Sequence, residues 1–255
     1  LAVKSQEKNE LNIAIKLYNE ILSIDPNHIN THINLGSILI NLGEFNKAKN
    51  FIERVIGIDP ENIYLNNNLG VALNALGEHQ QAAKFLETAI KIDPSYVDAN
   101  CNIGIAFKGL GNYQKAISYY KKAINLNPNF IKALNNLANV HNELGEHQEA
   151  ISCYERAIEI NPNFVEAINN LGVLLHNIGE YQKAMNCYEK VIKINPQYVE
   201  TYNNLGALFQ DNGEYQKAID VFQQGLQIKP NNLNMQTNIA NIYIIGLYLF
   251  ARFGG

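Results

Sequence analysis

The chain has 255 residues, a formal net charge of −4 and only 17% charged residues. It therefore carries no basic field that would attract a phosphate backbone, which argues against nucleic acid as a partner. The three cysteines, Cys101, Cys153 and Cys187, lie far apart and in no CxxC pattern, which suits a reducing, cytoplasmic compartment. Neither end reads as a signal peptide, and the apolar run Ile242–Ala251 is too short to span a bilayer, so no membrane role is expected.

All seven prolines recur at one spacing of 34 residues, which indicates an internal repeat. With the proline as position 32, a partial repeat covers residues 1–28 and a last partial repeat covers residues 233–241. The full repeats between them are Ile29–Asn62, Ile63–Tyr96, Val97–Phe130, Ile131–Phe164, Val165–Tyr198 and Val199–Asn232. Residues 242–255 form an irregular apolar end.

Within each repeat the apolar residues recur at helical spacing in two runs, which predicts helix A, a tight turn, helix B and a second turn. In six repeats a glycine such as Gly179 separates the runs at position 15, where a helix end commonly adopts a left-handed conformation. The second run ends before the proline, because proline disfavours helical geometry in the residue that precedes it. We expect the residue after the proline, such as Asn163, to cap the next helix A.

Small residues indicate where helices A and B approach each other. Position 20 is alanine in every repeat, as at Ala184, and position 8 is glycine or alanine, as at Gly172. We expect these two small residues to face each other, with larger residues at positions 7 and 24 beside them. Position 4 carries the polar residues Asn66 and Asn100, so we expect the N-terminal half to be the less stable one.

The recurring residues are clearest in the repeat Val165–Tyr198, where they are Leu171, Gly172, Tyr181, Ala184, Tyr188 and Pro196. In type and spacing they resemble the tetratricopeptide repeat (TPR) family, over residues 1 to about 241. The resemblance implies an all-α fold, an α-solenoid of stacked antiparallel helix pairs wound into a right-handed superhelix. The chain departs from the family in having no tryptophan, a residue that the family often has at position 4.

One polar residue recurs on helix A, because position 6 is asparagine in every repeat that contains it. These residues are Asn34, Asn68, Asn102, Asn136, Asn170, Asn204 and Asn238. On a helical wheel they lie in a polar arc opposite the apolar side of helix A. The resemblance implies that this arc lines the concave groove of the superhelix, where the row is similar to the asparagine ladder of the O-GlcNAc transferases.

An asparagine side chain carries an acceptor and an NH2 donor, which match the C=O and N–H of an extended peptide backbone. The row therefore predicts a scaffold that binds a protein or peptide segment by its main chain. The alternative is that the amides bond to neighbouring helices or are solvated. A carboxylate clamp is not expected, because position 5 holds no basic residue and position 2 offers only Lys132. The acidic residues Glu166 and Glu200 at position 2 favour a ligand with neutral or basic flanks.

No group of residues predicts catalysis, a metal or a cofactor. His141 and His176 lie on adjacent A helices, but no third ligand recurs, and a metal site needs three or four. Cys153 and Cys187 share position 23 of adjacent B helices, where small half-buried residues are a simpler interpretation than a redox pair. We therefore expect the chain itself not to be an enzyme, with any transferase domain lying outside it.

The two ends of the chain carry a further expectation. The chain begins at Leu1, and its apolar end Ile242–Phe253 lacks the polar capping helix with which repeat arrays usually finish. We expect these residues to be the recognition module of a larger protein. The alternative is a structural scaffold that self-associates through its exposed ends, above all the apolar C-terminal end.

Overall fold

The computed structural model describes the backbone of residues 2–253 and the side chains of residues 10–244. Regular structure in this part of the chain is entirely α-helical. The fourteen helices there are α1 (Ala2–Ile24), α2 (Ile29–Asn41), α3 (Phe45–Glu53), α4 (Ile63–Ala75), α5 (His79–Ile92), α6 (Val97–Gly109), α7 (Tyr113–Leu126), α8 (Ile131–Glu143), α9 (His147–Ile160), α10 (Val165–Asn177), α11 (Tyr181–Ile194), α12 (Val199–Asp211), α13 (Tyr215–Ile228) and α14 (Leu233–Phe253).

The helices form two compact units, Leu1–Val140 and His141–Gly255. Within each unit an even-numbered helix packs against the odd-numbered helix that follows it, as α4 packs against α5 and α10 against α11. Even-numbered helices also contact one another, as α4 contacts α6 and α10 contacts α12. We call the even-numbered helices A helices, and the odd-numbered helices from α3 onward B helices. This stacking of helix pairs confirms the predicted all-α solenoid.

Glycine ends the A helices as the repeat pattern predicts. The glycines with positive φ are Gly43, Gly77, Gly111, Gly145, Gly179 and Gly213. After α10, the N–H of Gly179 donates to the carbonyl of His176 (3.0 Å), and the N–H of Glu180 donates to that of Leu175 (2.8 Å). These bonds satisfy the last carbonyls of the helix, and they require a left-handed residue that glycine supplies without strain.

Helices α1 and α14 differ from the A helices between them because, within the part of the chain that the structure describes, no glycine of this kind interrupts or ends them. Helix α1 is continuous from Ala2 to Ile24, although the repeat pattern places a turn near Asn9. Helix α14 likewise continues to Phe253, and most of the predicted apolar end Ile242–Phe253 lies outside the residues whose side chains are described. Among the described residues, no helix combines the length and the hydrophobicity that a bilayer crossing requires.

The caps of the A helices lie one residue later than predicted. The backbone N–H of Asn163 donates to Oδ1 of Asn161, the residue before the proline (3.0 Å), so Asn163 is part of the turn and not the cap. The cap is position 34, where Asn62 Oδ1 accepts the N–H groups of Tyr64 and Leu65, both at 3.1 Å. The prediction was wrong because the residue before the proline can form an Asx turn of its own.

The glycine at position 8 lies against the side chain at position 24. A Cβ on Gly172 would lie 2.7 Å from Cε1 of Tyr188, and one on Gly206 would lie 2.4 Å from Cε1 of Phe222. Ala184 at position 20 is fully buried, but it supplies none of the atoms closest to Gly172. The glycine therefore makes room for the ring at position 24, and the facing of positions 8 and 20 stays a prediction.

Position 4 of the A helix anchors the preceding turn. Five polar side chains donate to the carbonyl of the proline six residues earlier, at 2.8–3.2 Å: His32, Asn66, Asn100, Tyr202 and Gln236. The NH2 groups of Asn66 and Asn100 are thus satisfied, which reduces the cost of burying them. Asn100 Oδ1 is buried without a hydrogen-bond partner among the described residues. The lower stability of the N-terminal half stays a prediction.

Candidate functional site

The position 6 asparagines lie at the same turn of successive A helices. The first unit contains Asn34, Asn68, Asn102 and Asn136, and the second contains Asn170, Asn204 and Asn238. Asn34 is exposed and the other six are half-buried, so each one reaches solvent along the face of its A helix.

In the first unit, three of these amides donate to a side chain of the preceding A helix. The pairs are Asn68 Nδ2 with Ser37 Oγ at 2.8 Å, Asn102 Nδ2 with Asn67 Oδ1 at 2.9 Å, and Asn136 Nδ2 with Cys101 Sγ at 3.7 Å. The donor in each pair is the asparagine at position 6, whereas the acceptor is a hydroxyl, an amide or a thiol. A bond to sulfur is the weakest of the three, because thiols are poor acceptors.

In the second unit, the acceptor is an asparagine at position 5. Asn204 Nδ2 lies 3.3 Å from Asn169 Oδ1, and Asn238 Nδ2 lies 3.5 Å from Asn203 Oδ1. Asn169 is only 5% exposed, and its Oδ1 also accepts the hydroxyl of Thr201 at 2.9 Å. Sequence reasoning missed this role of position 5, although asparagine recurs there at Asn67, Asn135, Asn169 and Asn203.

These hydrogen bonds agree with the alternative interpretation, in which the position 6 amides bond to neighbouring helices. They also hold the amides in one orientation. An NH2 group has two hydrogens, so the single bond of Asn102 or Asn204 to the preceding A helix uses one of them, and Oδ1 can accept as well. Asn68 differs, because its Nδ2 also donates to the carbonyl of Ile33 at 3.4 Å. A side chain that is already held loses little conformational entropy when a ligand binds. The row thus bonds successive A helices to one another through its side-chain amides.

We call the side of the A helices that carries the position 6 asparagines the A-helix face. Its charge differs between the two units. In α10, α12 and the described part of α14 the charged side chains are Glu166, Glu200 and Asp211, without lysine or arginine. Burial, together with Glu200 and Glu166, raises the pKa of Tyr198. The A helices of the first unit carry Asp98, Lys108 and Lys132. The second unit therefore presents the more negative A-helix face at neutral pH.

The histidines and cysteines do not form a reactive cluster. His141 Nδ1 lies 2.5 Å from Glu146 Oε2, and His176 Nε2 lies 3.0 Å from Asp211 Oδ2, so each histidine pairs with a carboxylate. Burial raises the pKa of Cys187, which keeps this half-buried residue in the thiol form at neutral pH. Within the described part of the chain, no three His, Cys, Asp or Glu side chains are placed to hold a metal ion.

Antiparallel helix pairs that stack in order, each closed by a left-handed glycine, define a helical-repeat protein of the α-solenoid class. Tetratricopeptide repeat models match residues 97–130, 131–164, 199–232, 153–186 and 7–67. A TPR repeat model matches residues 72–111 and 174–213. Together the matches cover most of the chain, which therefore belongs to the tetratricopeptide repeat family.

Solved structures share this fold. A chain of the APC/C hetero-tetramer Cut9-Hcn1 aligns with a TM-score of 0.71 and 23% identity, over 91% of this chain and 46% of that one. MamA aligns with a TM-score of 0.56 and 26% identity, over 64% of this chain and 95% of MamA. YrrB, described as a TPR protein with an unusual peptide-binding site, aligns with a TM-score of 0.54 and 22% identity, over 73% of this chain and 96% of YrrB.

The chain thus spans less than half the length of the Cut9-Hcn1 chain that it matches. No curated protein sequence matches it. The TPR fold is that of a protein–protein interaction scaffold, and TPR domains bind protein or peptide partners. TPR proteins are typically scaffolds without enzymatic activity.

Proposed function

We propose that the A-helix face binds an extended segment of a partner protein through main-chain hydrogen bonds to the position 6 asparagines, as the recognition module of a larger protein. The main supporting observation is that the donor, the asparagine at position 6, is constant, whereas the residue that accepts its hydrogen bond varies. Ser37, Asn67 and Cys101 all accept from the row, so the partner on the preceding A helix does not explain why position 6 is always asparagine. A ligand that has the same groups at every step, such as a peptide backbone, does explain it.

An asparagine that makes one bond to the preceding A helix, such as Asn102 or Asn204, can accept a peptide N–H at Oδ1 and donate its second N–H to a peptide carbonyl. At a net of about 0.5–1.5 kcal/mol per hydrogen bond, three engaged asparagines contribute moderate affinity and little preference for side-chain identity. Side chains that flank the bound segment add selectivity. In the second unit Glu166, Glu200 and Asp211 favour neutral or basic flanks over acidic ones.

The test uses a peptide that the intact chain selects from a random library on phage. Its affinity is measured by fluorescence anisotropy against the native chain and against a variant with Asn170, Asn204 and Asn238 replaced by alanine. We expect the variant to bind at least about tenfold more weakly, because it lacks three sets of main-chain hydrogen bonds. Its helicity by circular dichroism should be preserved.

Asn169→Ala is the matched control. It removes the acceptor for Asn204 and Thr201 but leaves the row itself in place. We expect this variant to melt at a lower temperature and to bind the peptide with little change. If the triple variant binds as the native chain does and only its melting temperature falls, the asparagines serve helix packing and the proposed peptide binding is wrong.

A second candidate function is a structural scaffold that associates through its terminal helices. Helix α1 exposes Leu17 (53%) and Ile24 (87%), and α14 exposes Leu233 (73%) and Ile244 (62%). Exposed apolar side chains that cluster mark interaction surfaces. If this function holds, the native chain sediments as an oligomer, and Leu17→Lys or Ile244→Lys lowers its mass toward the monomer. A monomeric native chain would exclude it.

A further inference from the structure

A crevice on the B-helix side of the second unit has no part in the A-helix face. It lies between α9 and α11 and has a volume of about 520 Å³. Ile168 and Leu171 of α10 form its floor, and Ile158 of α9 and Cys187 of α11 stand on its two walls. We call this crevice the helix B pocket. Its floor and walls are apolar, although it opens to solvent.

The α11 wall of the pocket carries a small residue at position 23. Cys187 occupies this position on α11, whereas α3, α5 and α7 carry aromatic residues there. These aromatic residues are Phe51, Phe85 and Tyr119. A thiol is much smaller than an aromatic ring, so Cys187 takes up little space on the α11 wall beside Ile168 and Leu171.

The ring of Tyr119 in the first unit lies over position 11, whose counterpart in α10, Leu175, does not line the helix B pocket. It stacks on Phe107 with ring centroids 5.6 Å apart and planes 5° apart. Burial raises the pKa of Tyr119, with a smaller contribution from Glu87 of α5. Burial likewise raises the pKa of Cys187, which Lys190 opposes and Glu155 of α9 reinforces. Glu87 and Glu155 both stand at position 25, so Tyr119 and Cys187 face equivalent sites on the preceding B helix.

The rim of the pocket carries charge on both sides. Glu155 and Glu159 lie one turn apart on the exposed surface of α9, and Lys190 lies across the opening on α11. Among the residues whose side chains are described, these three form no ion pair within 4.0 Å. Two carboxylates four residues apart repel each other, and a cation placed between them removes the repulsion.

We propose that the helix B pocket is a docking site for a partner protein segment in which a large apolar side chain adjoins a lysine or arginine. The apolar side chain covers Ile168, Leu171 and the thiol of Cys187, since burying it removes apolar surface from water on both partners. The cation lies beside Glu155 and Glu159. Lys190 repels a second cation on the opposite wall, so the segment binds in one direction. This site does not depend on peptide binding at the A-helix face.

The test compares three blocked dipeptides as probes: acetyl-Phe-Lys-amide, acetyl-Phe-Glu-amide and acetyl-Ala-Lys-amide. Each is titrated into the ¹⁵N-labelled full chain, and binding is read from amide chemical shifts. We expect Phe-Lys to shift the amides of Ile168, Leu171 and Cys187 saturably. Its Kd should be about two- to fivefold lower than that of Phe-Glu, which is the range of an exposed ion pair. Ala-Lys should cause no saturable shift.

Variants of the chain distinguish binding in the helix B pocket from non-specific binding elsewhere. Cys187→Tyr puts a bulky ring on the α11 wall of the pocket and should weaken the Phe-Lys shifts, whereas Cys187→Ser should retain them. Glu155→Gln with Glu159→Gln should remove the preference for Phe-Lys over Phe-Glu, and Glu189→Gln on the exposed side of α11 should keep it.

Two results would overturn the proposal: equal affinities of the native chain for Phe-Lys and Phe-Glu, or unchanged Phe-Lys binding by a folded Cys187→Tyr variant. The dipeptide comparison decides the matter even if that variant does not fold.

Discussion

Two tyrosines of the second unit show how the effect of a buried hydroxyl group on stability depends on whether it is hydrogen-bonded. The hydroxyl of Tyr188 is buried with no hydrogen-bond partner among the described residues. The hydroxyl of Tyr202 donates to the carbonyl of Pro196 at 3.0 Å. A buried polar group without a partner costs free energy, whereas a satisfied one contributes a little. Phe222, which occupies the position of Tyr188 one repeat later, shows that a ring without a hydroxyl fits there.

We predict that Tyr188→Phe raises the free energy of unfolding by about 1 kcal/mol, because it removes the unsatisfied hydroxyl and keeps the ring over Gly172. Tyr202→Phe should lower it by about 0.5–1.5 kcal/mol, because it breaks the bond to Pro196. Urea denaturation followed by circular dichroism measures both. A loss of the same size in Tyr188→Phe would show that its hydroxyl is hydrogen-bonded in solution.

At the scale of elements, the turn that joins an A helix to its B helix depends on one backbone angle. Gly179 has φ +84°, in the left-handed region where a Cβ clashes with the following carbonyl. Gly57, in the turn after α3, has no positive φ, and a Cβ there would meet no atom within 4 Å. The backbone conformation thus requires glycine at position 179, whereas it does not require glycine at position 57.

We therefore predict that Gly179→Ala lowers the free energy of unfolding by about 1–2 kcal/mol, since alanine is strained at this φ. Gly57→Ala, as the control, should leave it unchanged or raise it by up to about 1 kcal/mol by restricting the unfolded chain. Both are measured by thermal and urea denaturation. An effect of equal size at the two positions would contradict the assignment of strain to Gly179.

The elements also show how far the repeat pattern could be used. It predicted the bounds of the inner helices well, because proline at position 32 and glycine at position 15 act on their own backbone and on the nearest neighbours. Helix α1 runs without a turn through Asn9, which is position 15 of the partial repeat 1–28, since no glycine is present there to favour a turn. The repeat pattern placed the cap at Asn163, because the competing Asx turn of Asn161 depends on a side-chain orientation that spacing does not show.

For the whole molecule, buried phenols and a buried thiol make stability depend on alkaline pH. Burial raises the pKa of Tyr96 from 10.0 to about 12 and that of Cys101 from 9.0 to about 12. Burial also raises the pKa of Tyr154 and Tyr188. Each group releases its proton from the unfolded chain at a lower pH than from the folded chain. Their contribution is therefore complete below pH 9 and is lost as the pH rises toward 12.

We predict that the urea midpoint of the native chain falls steadily between about pH 9 and pH 12, within the range set by these pKa shifts. Tyr96→Phe should flatten the fall above pH 10, because phenylalanine has no proton to lose. The profile is measured by circular dichroism at a series of pH values. A midpoint that is constant over this range would contradict the raised pKa values.

The two units offer a comparison of local stability. The first unit buries Asn66 and Asn100 at position 4, and Asn100 Oδ1 has no hydrogen-bond partner in the described part of the chain. The second unit has Ile168 and Tyr202 at this position. We predict faster amide hydrogen exchange in α4 and α6 than in α10 and α12, since burying polar side chains yields less stability than burying apolar ones. Slower exchange in α4 and α6 would reverse this assignment.

The sequence by itself determined the repeat, the helix pairs, the left-handed turns and the row of asparagines on one side of the A helices. Each of these follows from local restrictions on the backbone and from the period of the α-helix, which act within a few residues. Only the tertiary structure decided which atoms meet between repeats. It brought Asn204 to Asn169, laid the ring of Tyr188 on Gly172 and opened the crevice beside Cys187. Such contacts join residues that are far apart in the chain, and they form only when neighbouring helices pack.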